Sequence, residues 1–311
     1  MKVVITGGAG FIGGNLARRL TAEPAIDRVV AFDDLSSGFR ENLESTGAEL
    51  VEGTILDTAA LDEVTDGADA IVHLGARPSV PRSIKDPVAS HDANATGTMN
   101  VLEAARRAGN SHVVVASSSS VYGANPTLPK HEDLATRPMS PYAASKLATE
   151  SYALAWQAAY DLPTLAFRFF NVFGPLQAAG HAYAAVIPAF VSAALADEPL
   201  QVHGDGTQSR DFTYVETVCS VIADAVLRRV SDPEPVNLAF GSRTNLLEVI
   251  ELLQELLGHD VKVQHTDPRP GDVPHSQAAN DRLMRLFPDV KPVQLREGLA
   301  STIEWFRSLP S

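Results

Sequence analysis

Three glycines constrain this chain more than any other feature. Gly8, Gly10 and Gly13 follow a short β-branched run, residues 2–6, and open an amphipathic run over residues 11–21. Asp33 closes the next β-branched run, residues 28–33, twenty residues beyond Gly13. A strand, a glycine turn, a helix and a second strand in that order make a βαβ unit, whose parallel strands need helices on both faces of their sheet. The glycines make the tight turn, let backbone approach a pyrophosphate, and let the helix pack on the strand. The helix N-terminus then offers unpaired N–H groups to an anion. A carboxylate at Asp33 accepts hydrogen bonds from a ribose 2′-hydroxyl and repels a 2′-phosphate, so the unit predicts a dinucleotide site that takes NAD over NADP.

The pattern continues for about half the chain. Residues 49–52, 70–73 and 112–117 read as further strands, and residues 88–108 and 142–160 as long helices. The expected fold is therefore α/β, a Rossmann-type doubly wound parallel sheet. Beyond residue 170 the rhythm changes to loops rich in Gly, Pro and Asp, at 174–180, 204–210 and 267–274, with a helical stretch at 246–257. We expect residues 1–170 to form the NAD-binding domain and 171–311 a smaller substrate-binding lobe. That boundary is soft, and residues 235–241 are candidates to return to the first sheet.

Composition narrows the partners. At 311 residues and 45% hydrophobic content the chain can bury a sizeable core. Its formal net charge is −13, and a field of that sign repels nucleic acid and anionic membrane. A phosphate ligand must then be held locally, by helix N-termini and placed arginines. Cys219 is the only cysteine, which excludes an internal disulfide and a cysteine-rich metal site. No metal is expected. Residues 1–14 lack the apolar run of a signal peptide, and no stretch approaches 18 apolar residues, so a cytoplasmic location is expected.

Tyr142 and Lys146 stand four apart in SPYAASK, on one face of the long helix that begins there. Ser118 lies just past the fifth strand, where doubly wound sheets place their ligands. A free phenol, with a pKa near 10, is a poor base at neutral pH. A nearby ammonium and a positive nicotinamide both favour the phenolate. Ser118 can hydrogen-bond a substrate hydroxyl and relay its proton.

TGGAGFIGG, SSSSVYG and SPYAASK together resemble the extended short-chain dehydrogenase/reductase family, in its nucleotide-sugar epimerase and dehydratase branch, over residues 1 to about 307. The resemblance implies that Tyr142 is the base, Lys146 its lysine partner and Ser118 the proton relay. It implies NAD contacts at Gly7, Gly8, Gly10, Phe11, Ile12, Gly13, Asp33, Asp34, Ser36, Ser37 and Gly38. Further along it implies contacts at Thr54, Ile55, Leu74, Gly75, Ala76 and Phe169. One departure matters. The family usually has Gly-Asp after the third strand, with the Asp on the adenine amine; here Thr54 follows Gly53 and can only accept that bond more weakly. FRFFNVFGP, HGDGTQSRDFTYV and DPRPGDVPHS resemble the family's UDP-sugar clamp. That likeness implies Asn171, Arg210 and Arg269 on the diphosphate, Asp272 on the uridine ribose and His203 on the uracil strand. Two arginines suit a diphosphate on charge grounds alone. The family also implies a homodimer through the two long helices.

The reaction expected is C4 inversion of a UDP-hexose through a 4-keto intermediate. The family's dehydratases carry Asp-Glu after the catalytic Thr, whereas Ser119 and Ser120 follow Ser118 here. Uronate enzymes usually place arginines after NVYGP; here Leu176, Gln177 and Ala178 follow Pro175, and an unpaired sugar carboxylate is costly to desolvate. SVPRSIKDP and AYAAVIP look most like 4-epimerases that accept UDP-N-acetylhexosamines. Ser276 stands where a tyrosine restricts related pockets to plain hexoses, which leaves room for an acetamido group. The expected substrates are thus UDP-GlcNAc and UDP-GalNAc, with UDP-Glc and UDP-Gal. The alternatives are a UDP-glucuronate 4-epimerase or dehydratase on the same scaffold, and a non-catalytic NAD-binding sensor.

Overall fold

Six strands of the first half alternate with helices: β1 (Lys2–Thr6), β2 (Arg28–Asp33), β3 (Glu49–Glu52), β4 (Ala70–His73), β5 (His112–Ser118) and β6 (Thr164–Phe169). The computed structural model describes residues 1–179, 185–267 and 275–309. The second half adds β7 (Asn171–Phe173), β8 (Leu200–His203), β9 (Ser209–Arg210), β10 (Phe212–Tyr214), β11 (Val236–Leu238), β12 (Thr244–Asn245) and β13 (Val263–Thr266). A seven-stranded parallel sheet runs in the order β3-β2-β1-β4-β5-β6-β11. Segment 235–241 thus supplies its last strand. Order reverses between β1 and β4, which opens a crevice at the strand C-termini.

Alternation along the strands explains both faces. Val3, Ile5, Val29 and Ala31 pack with Leu16, Ala17 and Leu20 of α1 (Phe11–Thr21). Val4, Val30, Phe32 and Ile71 point the other way. They meet Leu61 of α2 (Thr58–Thr65), with Val101 and Leu102 of the helix ending at Arg107. Both faces are covered, so these strands read as continuous apolar runs. α1 also packs against Val215–Arg228, from the second half, and this helix shares the core of Val3 and Ile5.

One expected helix differs. After α3 (Val80–Lys85), residues 87–107 form α4 (Pro87–His91), a π segment (Asp92–Thr96) and α5 (Gly97–Arg107). A π turn leaves a carbonyl without its usual partner. Here the Thr98 hydroxyl donates to the Asn94 carbonyl at 2.5 Å, and the Thr149 hydroxyl does so at 2.9 Å. The second threonine lies on the long helix Pro141–Tyr160, far away in sequence, so the periodicity of residues 88–108 carries no sign of it.

The helix Pro141–Tyr160 is fixed to the sheet by a buried ion pair. Arg168 of β6 donates from Nε to Glu150 Oε2 at 2.8 Å and from Nη2 to Oε1 at 2.6 Å. Both side chains are about 5% exposed or less. Ser117 donates to the same carboxylate at 3.0 Å, and the guanidinium lies 4.7 Å from the centre of the Tyr122 ring. Removing one partner strands a buried charge. Arg168→Met is expected to cost about 3–5 kcal/mol, and Arg168→Met with Glu150→Leu to recover most of that loss. Urea unfolding of the two variants and wild type measures both; equal losses in the single and double variants would refute the pairing energy assigned here.

Candidate active site

The glycine turn is shaped by close backbone approach. A Cβ on Gly13 would stand 2.2 Å from the Gly7 carbonyl oxygen, and one on Gly8 2.5 Å from the Ala31 Cβ. Gly7 has φ +70°, and a Cβ there would lie 2.7 Å from the Gly75 nitrogen. The turn after β1 therefore touches the turn after β4 directly. α1 begins at Phe11 with Gly10 as its cap, no capping side chain and no acidic residue in its first turn. Its N–H groups and positive dipole end face the turn without a competing carboxylate, which fits a pyrophosphate.

Asp33 sits at the end of β2, buried. Its Oδ2 accepts from the Ala9 N–H at 2.9 Å and its Oδ1 from the Leu35 N–H at 2.9 Å. Burial pushes its pKa up, and those two N–H bonds oppose the rise. Asp34 accepts from the Ser36 N–H at 2.9 Å. The Ala9 carbonyl accepts from Phe39 N–H and from the Asn42 side chain, and a Cβ on Gly38 would press on Ala9, so the segment carrying Ser36, Ser37 and Gly38 wraps the glycine turn. These residues fit a dinucleotide: a cradle that side chains would fill, a bare helix N-terminus and a carboxylate at the second strand.

Past β3, the Leu56 N–H donates to Thr54 Oγ1 at 3.3 Å. Asp57 does not stand in for the missing aspartate, since its carboxylate caps α2 through the Ala59 and Ala60 N–H groups. The Ile55 carbonyl accepts from Asn100, and its side chain packs on Gly97. Leu74, Gly75 and Ala76 follow β4, with the Gly75 N–H donating to Thr6 Oγ1 at 3.2 Å.

Ser118 ends β5, and Phe169 ends β6 as its register partner. Ser118 caps a short turn, Ser119–Tyr122, by accepting from the Ser120 N–H at 3.1 Å, and its hydroxyl lies close enough to the Tyr142 phenol to favour the charged form. Tyr142 lies in the first turn of Pro141–Tyr160, capped by Ser140, which accepts from the Ala143 N–H. Lys146, one turn on, is buried and donates from Nζ to the Ala116 carbonyl at 2.7 Å. Burial draws the Lys146 pKa down to about 8. Burial also raises that of Tyr142, opposed by the Ser118 hydroxyl. The sequence suggests that a nearby ammonium lowers the phenol; here desolvation outweighs everything else, and the Lys146 head group is engaged by a carbonyl.

In the second half, the Asn171 side chain and N–H both donate to the Asp211 carbonyl. Asp211 itself is fully buried and gathers three strands of chain: its carboxylate accepts from Gly241 N–H, Ala278 N–H and the Ser242 hydroxyl at 2.9–3.0 Å. Sequence reading passed over Asp211. Its only signal was a carboxylate set between Arg210 and the apolar run Phe212–Tyr214. Arg210 on β9 donates to the Ser209 carbonyl at 3.0 Å, and Ser276 donates its N–H to that same carbonyl at 3.0 Å. Ser276 and Arg210 thus share one strand edge. His203 ends β8, where its Nδ1 is paired with the Thr266 hydroxyl at 2.7 Å. Arg269 and Asp272 lie outside the described residues. Among the described residues, no group of three His, Cys, Asp or Glu side chains could hold a metal ion.

With this geometry in view, relatives are informative. Residues 3–239 match the model of the "NAD dependent epimerase/dehydratase family". The chain is 37% identical to "UDP-glucose 4-epimerase" of Mycolicibacterium smegmatis, covering 99% of both chains. It is 33% identical to "Probable UDP-glucuronate 4-epimerase" of Rhizobium meliloti, over 98% of this chain and 97% of that one. Its fold superposes, with a TM-score of 0.92 and 35% identity, on a UDP-N-acetylglucosamine 4-epimerase from Methanobrevibacter ruminantium solved with UDP-N-acetylmuramic acid, covering 99% and 98% of the two chains. The glycine cradle, the Ser118–Tyr142 pair and this likeness over nearly the whole length agree: the chain belongs to the NAD dependent epimerase/dehydratase family.

Proposed function

We propose that the protein is an NAD-dependent UDP-sugar 4-epimerase, with Ser118, Tyr142 and Lys146 as its catalytic residues and residues 171–311 supplying most of the UDP-sugar contacts. The observation that carries this reading is the gathering of Ser118 at the end of β5, Tyr142 in the first turn of Pro141–Tyr160 and buried Lys146 one turn on, at the same carboxyl end of the sheet as the glycine cradle. NAD held in the glycine cradle would supply hydride acceptance and return at the sugar C4. Tyr142 accepts the C4 hydroxyl proton as that hydride leaves and gives it back on reduction. Ser118 orients the hydroxyl and donates to the developing phenolate. Lys146 contributes positive charge in a buried setting, where each charge acts strongly. Inversion requires the sugar to present both faces of C4 in turn. Asn171, Arg210 and Arg269 would hold the diphosphate meanwhile, with His203 and Asp272 on the uridine.

Water elimination is disfavoured, because Ser119 and Ser120 supply no carboxylic acid beside Ser118. A uronate reading has one observation behind it. The Ser120 hydroxyl is buried and has no hydrogen-bond partner, and three successive hydroxyls could serve a sugar carboxylate. The N-acetylhexosamine reading rests on Ser276, whose small side chain lies on the Arg210 strand edge. No helix among the described residues is long and apolar enough to cross a membrane, and Cys219 is a buried free thiol, in keeping with a cytoplasmic enzyme. We also place a two-fold dimer on the long helices. Tyr152, Trp156 and Tyr160 line one side of Pro141–Tyr160 in edge contacts, while Ile84 and Val88 are 65% and 67% exposed nearby.

Incubated with UDP-sugars and no added NAD, wild type is expected to interconvert UDP-GlcNAc with UDP-GalNAc and UDP-Glc with UDP-Gal. Turnover of UDP-glucuronate alone, resolved by chromatography, would transfer the assignment to the uronate reading. Tyr142→Phe should lower kcat by about a hundredfold or more; an enzyme near wild-type rate would reject the assigned base. Ser276→Tyr should slow the N-acetyl reaction about ten- to a hundredfold, the cost of overpacking a filled site, while sparing plain hexoses. Equal loss on both sugars would rule out a size gate. Light scattering at micromolar concentration should give the mass of two chains, and a monomer would refute the helix interface.

A further inference from the structure

His73 is the last residue of β4, in the otherwise apolar run AIVH, and only 3% exposed. A ring so deep is costly unless its nitrogens are paired, and both are. Nδ1 lies 2.7 Å from Thr6 Oγ1, on β1, and Nε2 lies 3.0 Å from Thr98 Oγ1. The neighbours decide the tautomer. Thr98 gives its own proton to the Asn94 carbonyl, so its oxygen must accept from His73, and Nε2 carries the ring proton. Nδ1 is then the acceptor and takes the Thr6 proton. The Thr6 oxygen is left to accept the Gly75 N–H at 3.2 Å. The bonds of this row point in one direction, from the Gly75 amide to the Asn94 carbonyl, with the Thr149 hydroxyl 3.1 Å from that of Thr98 at its side.

The far end returns to the same loop. Asn94 accepts the Arg77 N–H on Oδ1 at 2.7 Å, and its Nδ2 donates to the Arg77 carbonyl at 3.2 Å and to the Ser145 hydroxyl at 2.9 Å. Residues 74–77 are thus held at both ends by a row of bonds that passes through one imidazole. At the near end the Gly75 nitrogen sits against Gly7, with no space for even a methyl group between them. A shift of a few tenths of an ångström at Gly75 would therefore be felt in the glycine turn.

We infer that His73 is a positioning residue for the cofactor: as a neutral spacer between Thr6 and Thr98, it sets the place of residues 74–77 against the glycine turn. This rests on the reading that Leu74, Gly75 and Ala76 line NAD. Burial, with a smaller push from the Lys146 ammonium, holds the ring's pKa down to about 3 and so keeps the ring neutral. A protonated ring would donate at both nitrogens and leave the Thr6 proton without an acceptor in the row.

The test is the rate at which the NAD-loaded enzyme exchanges bound NAD for labelled NAD, with no UDP-sugar present. Thr98→Val keeps the shape of the side chain and leaves the Nε2–H unpaired, while Thr149 still covers the Asn94 carbonyl. Exchange about tenfold faster is expected for it, from a single unsatisfied buried donor. Thr98→Ser restores the hydroxyl and should exchange at the wild-type rate, and His73→Leu should exchange at least as fast as Thr98→Val. Nitrogen NMR of the ring should show the Nε2–H tautomer from pH 5 to 8. A Thr98→Val enzyme that melts lower yet exchanges NAD at the wild-type rate would show a purely structural role and overturn the inference. So would Thr98→Ser exchanging as fast as Thr98→Val, or an Nδ1–H tautomer. Because no sugar is involved, an enzyme with the expected exchange rates and no epimerase activity would refute the proposed reaction and support this inference.

Discussion

The Gly7 carbonyl and the Gly13 Cα are so close that only a missing side chain permits the contact. The nucleotide end of the molecule depends on it. It lets α1 start directly beneath β1, with its N–H groups open at the crevice between β1 and β4. Asp33 secures the same turn from β2 by accepting the Ala9 N–H, and Gly38 and Asn42 close over Ala9 from outside. The turn is therefore a backbone object, braced by one carboxylate and one amide, and preorganised before any ligand arrives.

Two kinds of polar contact then set the reacting groups. The Arg168–Glu150 pair ties the helix that carries Tyr142 and Lys146 to β6. Its charges are well paired and have further hydrogen bonds, the condition under which a buried ion pair is tolerated. Two turns earlier on that helix, Tyr142 lies beside the end of β5, where Ser118 favours its charged form. The phenol and the ammonium both sit in surroundings that penalise charge, so their pKa values move apart, Tyr142 upward and Lys146 down to about 8. Groups displaced in this way by burial are suited to moving a proton, because added charge nearby acts through a low dielectric.

An overall charge of −13 works against an anionic ligand. Attraction must come from local sources that the mean field does not cancel. The N-terminus of α1 is one, with no acid in its first turn. Arg210 on β9 is a second, positioned by an edge strand whose neighbour Asp211 is buried in three hydrogen bonds.

Much of this was legible from residue order alone. The glycine spacing with Asp33, and the Tyr142–Lys146 spacing at a capped helix start, are local patterns whose geometry follows from one turn or one helix. The first five strands and four of the helices were legible for the same reason, since periodicity reports which faces are buried. The π turn at Asp92–Thr96, the buried hub at Asp211 and the row through His73 were not. Each consists of polar groups brought together from distant segments, such as Thr6, His73, Thr98 and Thr149, and none of these residue types is informative alone. The sequence by itself determined the sheet, the glycine turn and the placing of Tyr142 and Lys146 on one helix face, because short-range sterics and hydrophobic period dictate them. Only the tertiary structure decided which buried polar atoms pair with which, because that depends on how β1, β4 and two helices meet in space.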